Sequence, residues 1–151
     1  MSDYLEGKAV RKLHAGLRAV TGDVGFADAT TTLFNVVGGR VLVKQILGVA
    51  TTAVEDAAIT MQLQIDPDVG AAAAFTAATS IRDDALGTRY AVAEFNVATD
   101  ITISTDGMAA GDEFVLPAGE INALRSAART GAIQWEIFYV PIDDGAYVEV
   151  A

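Results

Sequence analysis

Residues 132–140 alternate with a period of two: Ile133, Trp135, Ile137 and Tyr139 fall on one side of an extended chain, Gln134, Glu136 and Phe138 on the other. A helix would scatter these large apolar side chains around its circumference, so the segment predicts a strand with one buried face. The chain then turns through Asp143-Asp144-Gly145 into a second apolar run, 146–150. That arrangement predicts a closing hairpin, with Gly145 supplying the positive backbone dihedral of a short turn.

The same pattern recurs from Thr30 onward. Runs at 30–36, 41–49, 57–65, 73–79, 90–97, 100–104, 113–116, 120–124, 132–140 and 146–150 read as short strands. Gly38-Gly39, Asp66-Pro67-Asp68-Val69-Gly70, Asp83-Asp84, Asp106-Gly107 and Pro117-Ala118-Gly119 separate them as turns. So many short strands exceed what one open sheet holds, and two packed sheets or a closed barrel would bury their inward faces. Residues 71–79 and 118–129 also suit helices by propensity and capping, but are read here as strands. The expected fold class is all-β.

A chain of 151 residues fits one domain, large enough to bury roughly 70% of its unfolded surface without crosslinks. It has no cysteine, which excludes disulfides, iron–sulfur clusters and thiolate zinc sites. No apolar run approaches the ~20 residues that span a bilayer, and charges stand where a secretory signal needs an apolar core. The expectation is no membrane partner and no secretory signal.

Net charge is -10, unevenly spread. Lys8, Arg11, Lys12 and Arg18 outnumber Asp3 and Glu6 in the first eighteen residues, whereas acids dominate the remainder. Such a body repels phosphate backbones, so nucleic acid is not an expected partner. The basic leader would instead be drawn to an acidic protein surface, on a larger assembly or a neighbouring copy. Leu5, Val10, Leu13, Leu17 and Val20 recur at near-helical steps. Gly7 and Gly16 each weaken a helix by about 1 kcal/mol, so the segment is expected to order against a partner. Residues 21–25 read as a linker. The chain therefore divides into an N-terminal arm, 1–25, and a β body, 26–151, and the candidate interface residues are Leu5, Lys8, Arg11, Lys12, Leu13, Leu17 and Arg18.

Little in the body points to catalysis. His14 is the only histidine and lies in the arm, read as a surface residue and not as a triad member or ligand. Asp66 and Asp68, Asp83 and Asp84, and Asp143 and Asp144 are oxygen donors of the kind calcium uses, but none has the spacing of a calcium loop, and aspartate is an ordinary turn former. Gly38-Gly39 reads as a hairpin turn, with no lysine placed for a phosphate loop. Trp135, Phe138, Tyr139 and Tyr147 could form an aromatic platform for sugars or bases, although alternating aromatics on a terminal strand are more often core. No catalytic residue, metal or cofactor is assigned.

Residues 31–43, the run Gly87-Thr88-Arg89-Tyr90 and residues 131–146 together resemble small structural proteins of tailed bacteriophages, among them capsid decoration (cement) proteins. The resemblance implies a β-sandwich or jelly-roll-like body with a short N-terminal arm or helix. It also implies a homotrimer on the outer capsid surface of the virion, assembled in the host cytoplasm, with the major capsid protein as partner and no enzymatic activity. Its alternatives are a head-fibre, tail or baseplate module binding host carbohydrate, and a small jelly-roll enzyme acting on sugars.

Overall fold

The computed structural model describes residues 7–108 and 110–151. A helix, α1 (Gly7–Ala15), precedes twelve strands: β1 (Leu17–Gly25), β2 (Thr30–Val37), β3 (Val41–Thr52), β4 (Thr60–Pro67), β5 (Ala73–Ala74), β6 (Thr79–Ser80), β7 (Arg89–Ala91), β8 (Thr102–Ser104), β9 (Phe114–Leu116), β10 (Gly119–Arg125), β11 (Ala132–Pro141) and β12 (Tyr147–Val150). They form two antiparallel six-stranded sheets packed as a β-sandwich. The first runs β1-β11-β3-β7-β8 with β9 also on β3, and the second runs β12-β2-β10-β4-β5 with β6 also on β4.

The pairing is nested. β1 pairs with β11, β2 with β10, β3 with β7 and β9, and β4 with β5 and β6. A long hairpin wrapped around itself produces this order, and it is the winding of a jelly roll. Loops β1–β2, β3–β4, β6–β7 and β10–β11 meet at one end, through Val54 N–H to Asp84 O, Glu55 N–H to Thr130 O and Arg129 N–H to Phe26 O. The crossings β2–β3 and β11–β12 meet at the other end, where Ile142 N–H donates to Arg40 O.

The core lies between the inner faces. Val43, Ile46, Tyr90, Ile133, Trp135 and Ile137 come from the first sheet; Phe34, Val36, Met61, Leu63 and Ile121 come from the second. Alternation in β11 places its four large apolar residues inward, as the sequence predicts. Gly48 sits opposite both Trp135 and Tyr90 in the ladder. A β-carbon there would come 3.0 Å from the indole ring and 2.9 Å from Ile133, so the missing side chain lets the large rings fill the core over β3.

Four sequence expectations need correction. The two terminal runs are not a hairpin: β11 already has β1 and β3 on its two edges, so β12 joins β2 in the other sheet. Gly38-Gly39 likewise links β2 and β3 across the sandwich, not within one sheet. The linker expected at 21–25 is the second half of β1, paired with β11 through Gly25. Finally, the arm boundary at 25 moves back to Gly16, because helix gives way to sheet there. Residues 71–79 and 118–129 are not helical; they supply β5, the start of β6, and β10.

Candidate functional site

The predicted interface residues divide between two elements. Leu5 lies outside the described residues. Lys8, Arg11, Lys12 and Leu13 belong to α1, and among those whose side chains are described Lys12, Val10 and His14 are exposed. α1 makes no extended contact with any strand among the described residues. Its last turn closes at Gly16, whose φ of 82° and N–H donation to Lys12 O end the helix in the left-handed conformation that glycine adopts freely. A side chain at Gly16 would also strike the carbonyl of Tyr139, so the junction is held closely against β11.

Leu17 and Arg18 belong instead to the sandwich. Leu17 pairs with Tyr139 and Arg18 with Phe138. The Arg18 guanidinium lies 5.9 Å from the Phe138 ring centroid and 2.6 Å from Glu136 Oε2. The sequence puts Arg18 in an arm that orders against a partner; the structure gives it an ion pair and an aromatic face on the first sheet.

One aspartate in each of two pairs has a structural task, and the third pair is held by its backbone. Asp143 receives the N–H, Nε and Nη2 of Arg40 at 2.7, 3.0 and 2.7 Å, tying the β11–β12 crossing to the β2–β3 crossing. These donors hold its carboxyl low, at about 2. Asp84 accepts the Tyr90 hydroxyl at 2.8 Å. Burial raises the Asp84 carboxyl, opposed by that hydrogen bond, and burial with the bond to Asp84 also raises the phenol. Asp66 and Asp68 flank Pro67 at the β4–β5 turn, where Asp68 N–H donates to Ala118 O. Among the described residues no group of three or more acidic or histidine side chains is placed to hold a metal ion.

The aromatic platform is not assembled. Trp135 and Tyr139 are buried in the first sheet, Phe138 lies beneath Arg18, and Tyr147 is exposed on the edge of the second. A different concavity was not foreseen: a trough of about 610 Å³ across the outer face of the first sheet. Val20, Leu47 and Val49 line it, and Arg18, Arg89 and the loop at Asp106-Gly107 bound it. Arg89 Nη1 donates to the carbonyls of Thr105 and Asp106, each at 3.1 Å. The signal was present in β3, where Leu47 and Val49 put apolar side chains at outward positions beside Gln45.

The outer face of the second sheet has the opposite character. Glu149, Asn35, Glu120 and Asp66 stand side by side across β12, β2, β10 and β4. Their neighbours Val148, Phe34, Val36, Ile121 and Ile65 are buried, so alternation turns this row outward. No protein-family model, curated protein or solved structure matches the chain.

Proposed function

We propose that the chain is a non-enzymatic virion structural protein, a phage capsid decoration (cement) protein that stabilises the expanded head and is attached partly through its N-terminal segment. The observation that carries this reading is α1: a basic helix that, among the described residues, makes no extended contact with any strand of the sandwich and leaves Val10 47% exposed. A helix this short is marginal alone and gains stability by burying an apolar stripe on something else. The major capsid protein supplies that surface in this reading, with acidic groups facing Lys12 and its neighbours. The resemblance of residues 31–43 and 131–146 to phage structural proteins supports the same assignment. The aspartates already engaged by Arg40 and Tyr90 fit a body whose acids serve structure.

Binding only to the expanded lattice would stabilise that lattice by mass action. A trimeric body would make three weak attachments act together. The test is particle binding and imaging. Purified heads should carry the protein at regular lattice positions, and removal of residues 1–15 should strip it while leaving the sandwich folded. The deletion must stop before Leu17, since β1 belongs to the sheet. Equal occupancy after that deletion, or a few copies confined to the tail, overturns the reading. Glycan binding by the full chain, centred on exposed Tyr147, would favour the host-carbohydrate alternative instead.

A further inference from the structure

The trough on the outer face of the first sheet has no part in the docking role above. Strand register builds its floor in columns: Gln134 and Glu136 on β11, Leu47 and Val49 on β3, and Arg89 on β7, with Gln134, Val49 and Arg89 side by side. Their neighbours Trp135, Ala50 and Tyr90 are buried in the core, so alternation turns this row outward. At about 610 Å³ the trough has the size of a small-ligand site.

Arg89 is its distinctive member. Arg18, Arg40, Lys44 and Arg82 each pair with a carboxylate, whereas Arg89 pairs with none among the described residues, in a chain with 20 acids to 10 bases. A turn nevertheless holds it in place. Ser104 Oγ accepts the N–H of Asp106 at 3.0 Å, and the carbonyls of Thr105 and Asp106 both receive Arg89 Nη1 at 3.1 Å. Those two bonds occupy Nη1. A guanidinium has five N–H donors, so three remain on the edge formed by Nε and Nη2, and none of them meets an acceptor among the described residues. Arg89 is exposed, so a ligand can reach that edge. Two fixed donors on a planar cation match the two oxygens of a carboxylate.

We propose that the trough receives the carboxyl-terminal end of an extended apolar peptide from a partner protein, with Arg89 holding the terminal carboxylate. The lining selects this occupant over a bare anion or a neutral apolar one. Arg89 matches the carboxylate, and the apolar column of Leu47 and Val49, widened by Val20 of β1, matches the side chains beside it. Acceptors for the peptide N–H groups are also present. Gln134 gives its Nε2 to Thr21 O at 3.2 Å and keeps Oε1 to accept, and the Asp106 carboxylate pairs with no cation among the described residues. Glu136 does not oppose the ligand, because Arg18 lies 2.6 Å from it. Capture of a chain end through its carboxylate is an established mode of peptide recognition.

The test is an NMR titration of the full chain with a short N-acetylated peptide of valine and alanine, once with a free carboxyl terminus and once as the carboxyl-terminal amide. The free acid should move the signals of Leu47, Val49, Arg89 and Gln134 and bind about tenfold to a hundredfold more tightly than the amide, the range of a hydrogen bond to a charged group. Sodium acetate, a carboxylate without the apolar part, should displace the peptide only at far higher concentration. Arg89→Lys keeps the charge but loses the planar fork, and should remove most of the preference for the acid. Val49→Glu spoils the floor without touching the turn that holds Arg89, and should abolish binding of both peptides. Circular dichroism checks that each variant is folded. Removal of residues 1–15 should leave peptide binding intact, which separates this result from that of particle docking. Equal binding of acid and amide overturns the proposal, as does an unchanged preference in folded Arg89→Lys. So do acetate competing at the peptide's own concentration, signals that move only outside the first sheet, or no binding at millimolar peptide.

Discussion

The two sheets share one interior and differ on their outer faces. Inward, both are apolar and tightly packed, the first around Trp135 and Tyr90, whose centroids lie 6.1 Å apart, the second around Phe34, Met61 and Leu63. Outward, the first presents Val20, Leu42, Leu47 and Val49 among Arg18, Lys44 and Arg89, with Glu136 and Glu113 pairing two of these cations. The second presents Glu120, Asp66, Glu149 and amides. The inner faces therefore decide that the chain becomes a sandwich, and the outer faces decide what it meets.

The largest expected effect tests the shared interior. Trp135→Ala removes the biggest buried side chain of the first sheet, packed directly over Gly48, and should cost about 3–5 kcal/mol. Leu63→Ala in the second sheet should cost about 2–5 kcal/mol by the same mechanism. Urea unfolding followed by circular dichroism measures both; a loss below about 1 kcal/mol for Trp135→Ala would mean that the first sheet does not share the core.

A smaller effect tests how each sheet repairs an interrupted ladder. At the bulge between Val20 and Asp23, Thr21 turns its hydroxyl inward to accept the N–H of Trp135 at 2.9 Å. Between β5 and β6, Thr76 accepts the N–H of Leu63 at 2.9 Å. Thr21→Val and Thr76→Val preserve shape but leave a buried donor unmatched, and each should cost about 1–3 kcal/mol. If only Thr76→Val does so, the β1 edge admits water and the two sheets are not sealed alike.

Much of the sandwich was legible in the sequence because one-sided burial writes a period of two into strands such as β11, and turn residues punctuate the rest. Sheet membership was not legible. Residues 132–140 and 146–150 look like neighbours in a hairpin, and only the presence of β1 and β3 on both edges of β11 sends β12 elsewhere. β1 was hidden for a different reason: as an edge strand with a bulge and Gly22 and Gly25, it buries too little for alternation to show. The acidic row was invisible because Glu149, Glu120 and Asp66 are far apart in the chain and meet only through strand register.

The smallest effect concerns the corner where the sheets exchange strands. Arg40 in the β2–β3 crossing and Asp143 in the β11–β12 crossing form one exposed clamp, so its contribution reports how firmly the two sheets are tied at that end. The Asp143 carboxyl is lowered from an ordinary 3.8 to about 2 by the Arg40 side chain first and its backbone N–H second. A group whose folded value lies below its unfolded value stabilises the fold above the unfolded value and loses that contribution as pH falls through the folded one. The clamp should hold fully above pH 4 and fade between 4 and 2. Asp143→Asn should therefore lower the urea midpoint slightly at neutral pH and flatten its decline over that acid window. Carboxyl NMR titration of the wild-type chain would place the Asp143 midpoint directly; an ordinary value near 4 would show that the two crossings are held by their backbone bonds alone, leaving the outer loops free to move independently of the shared core.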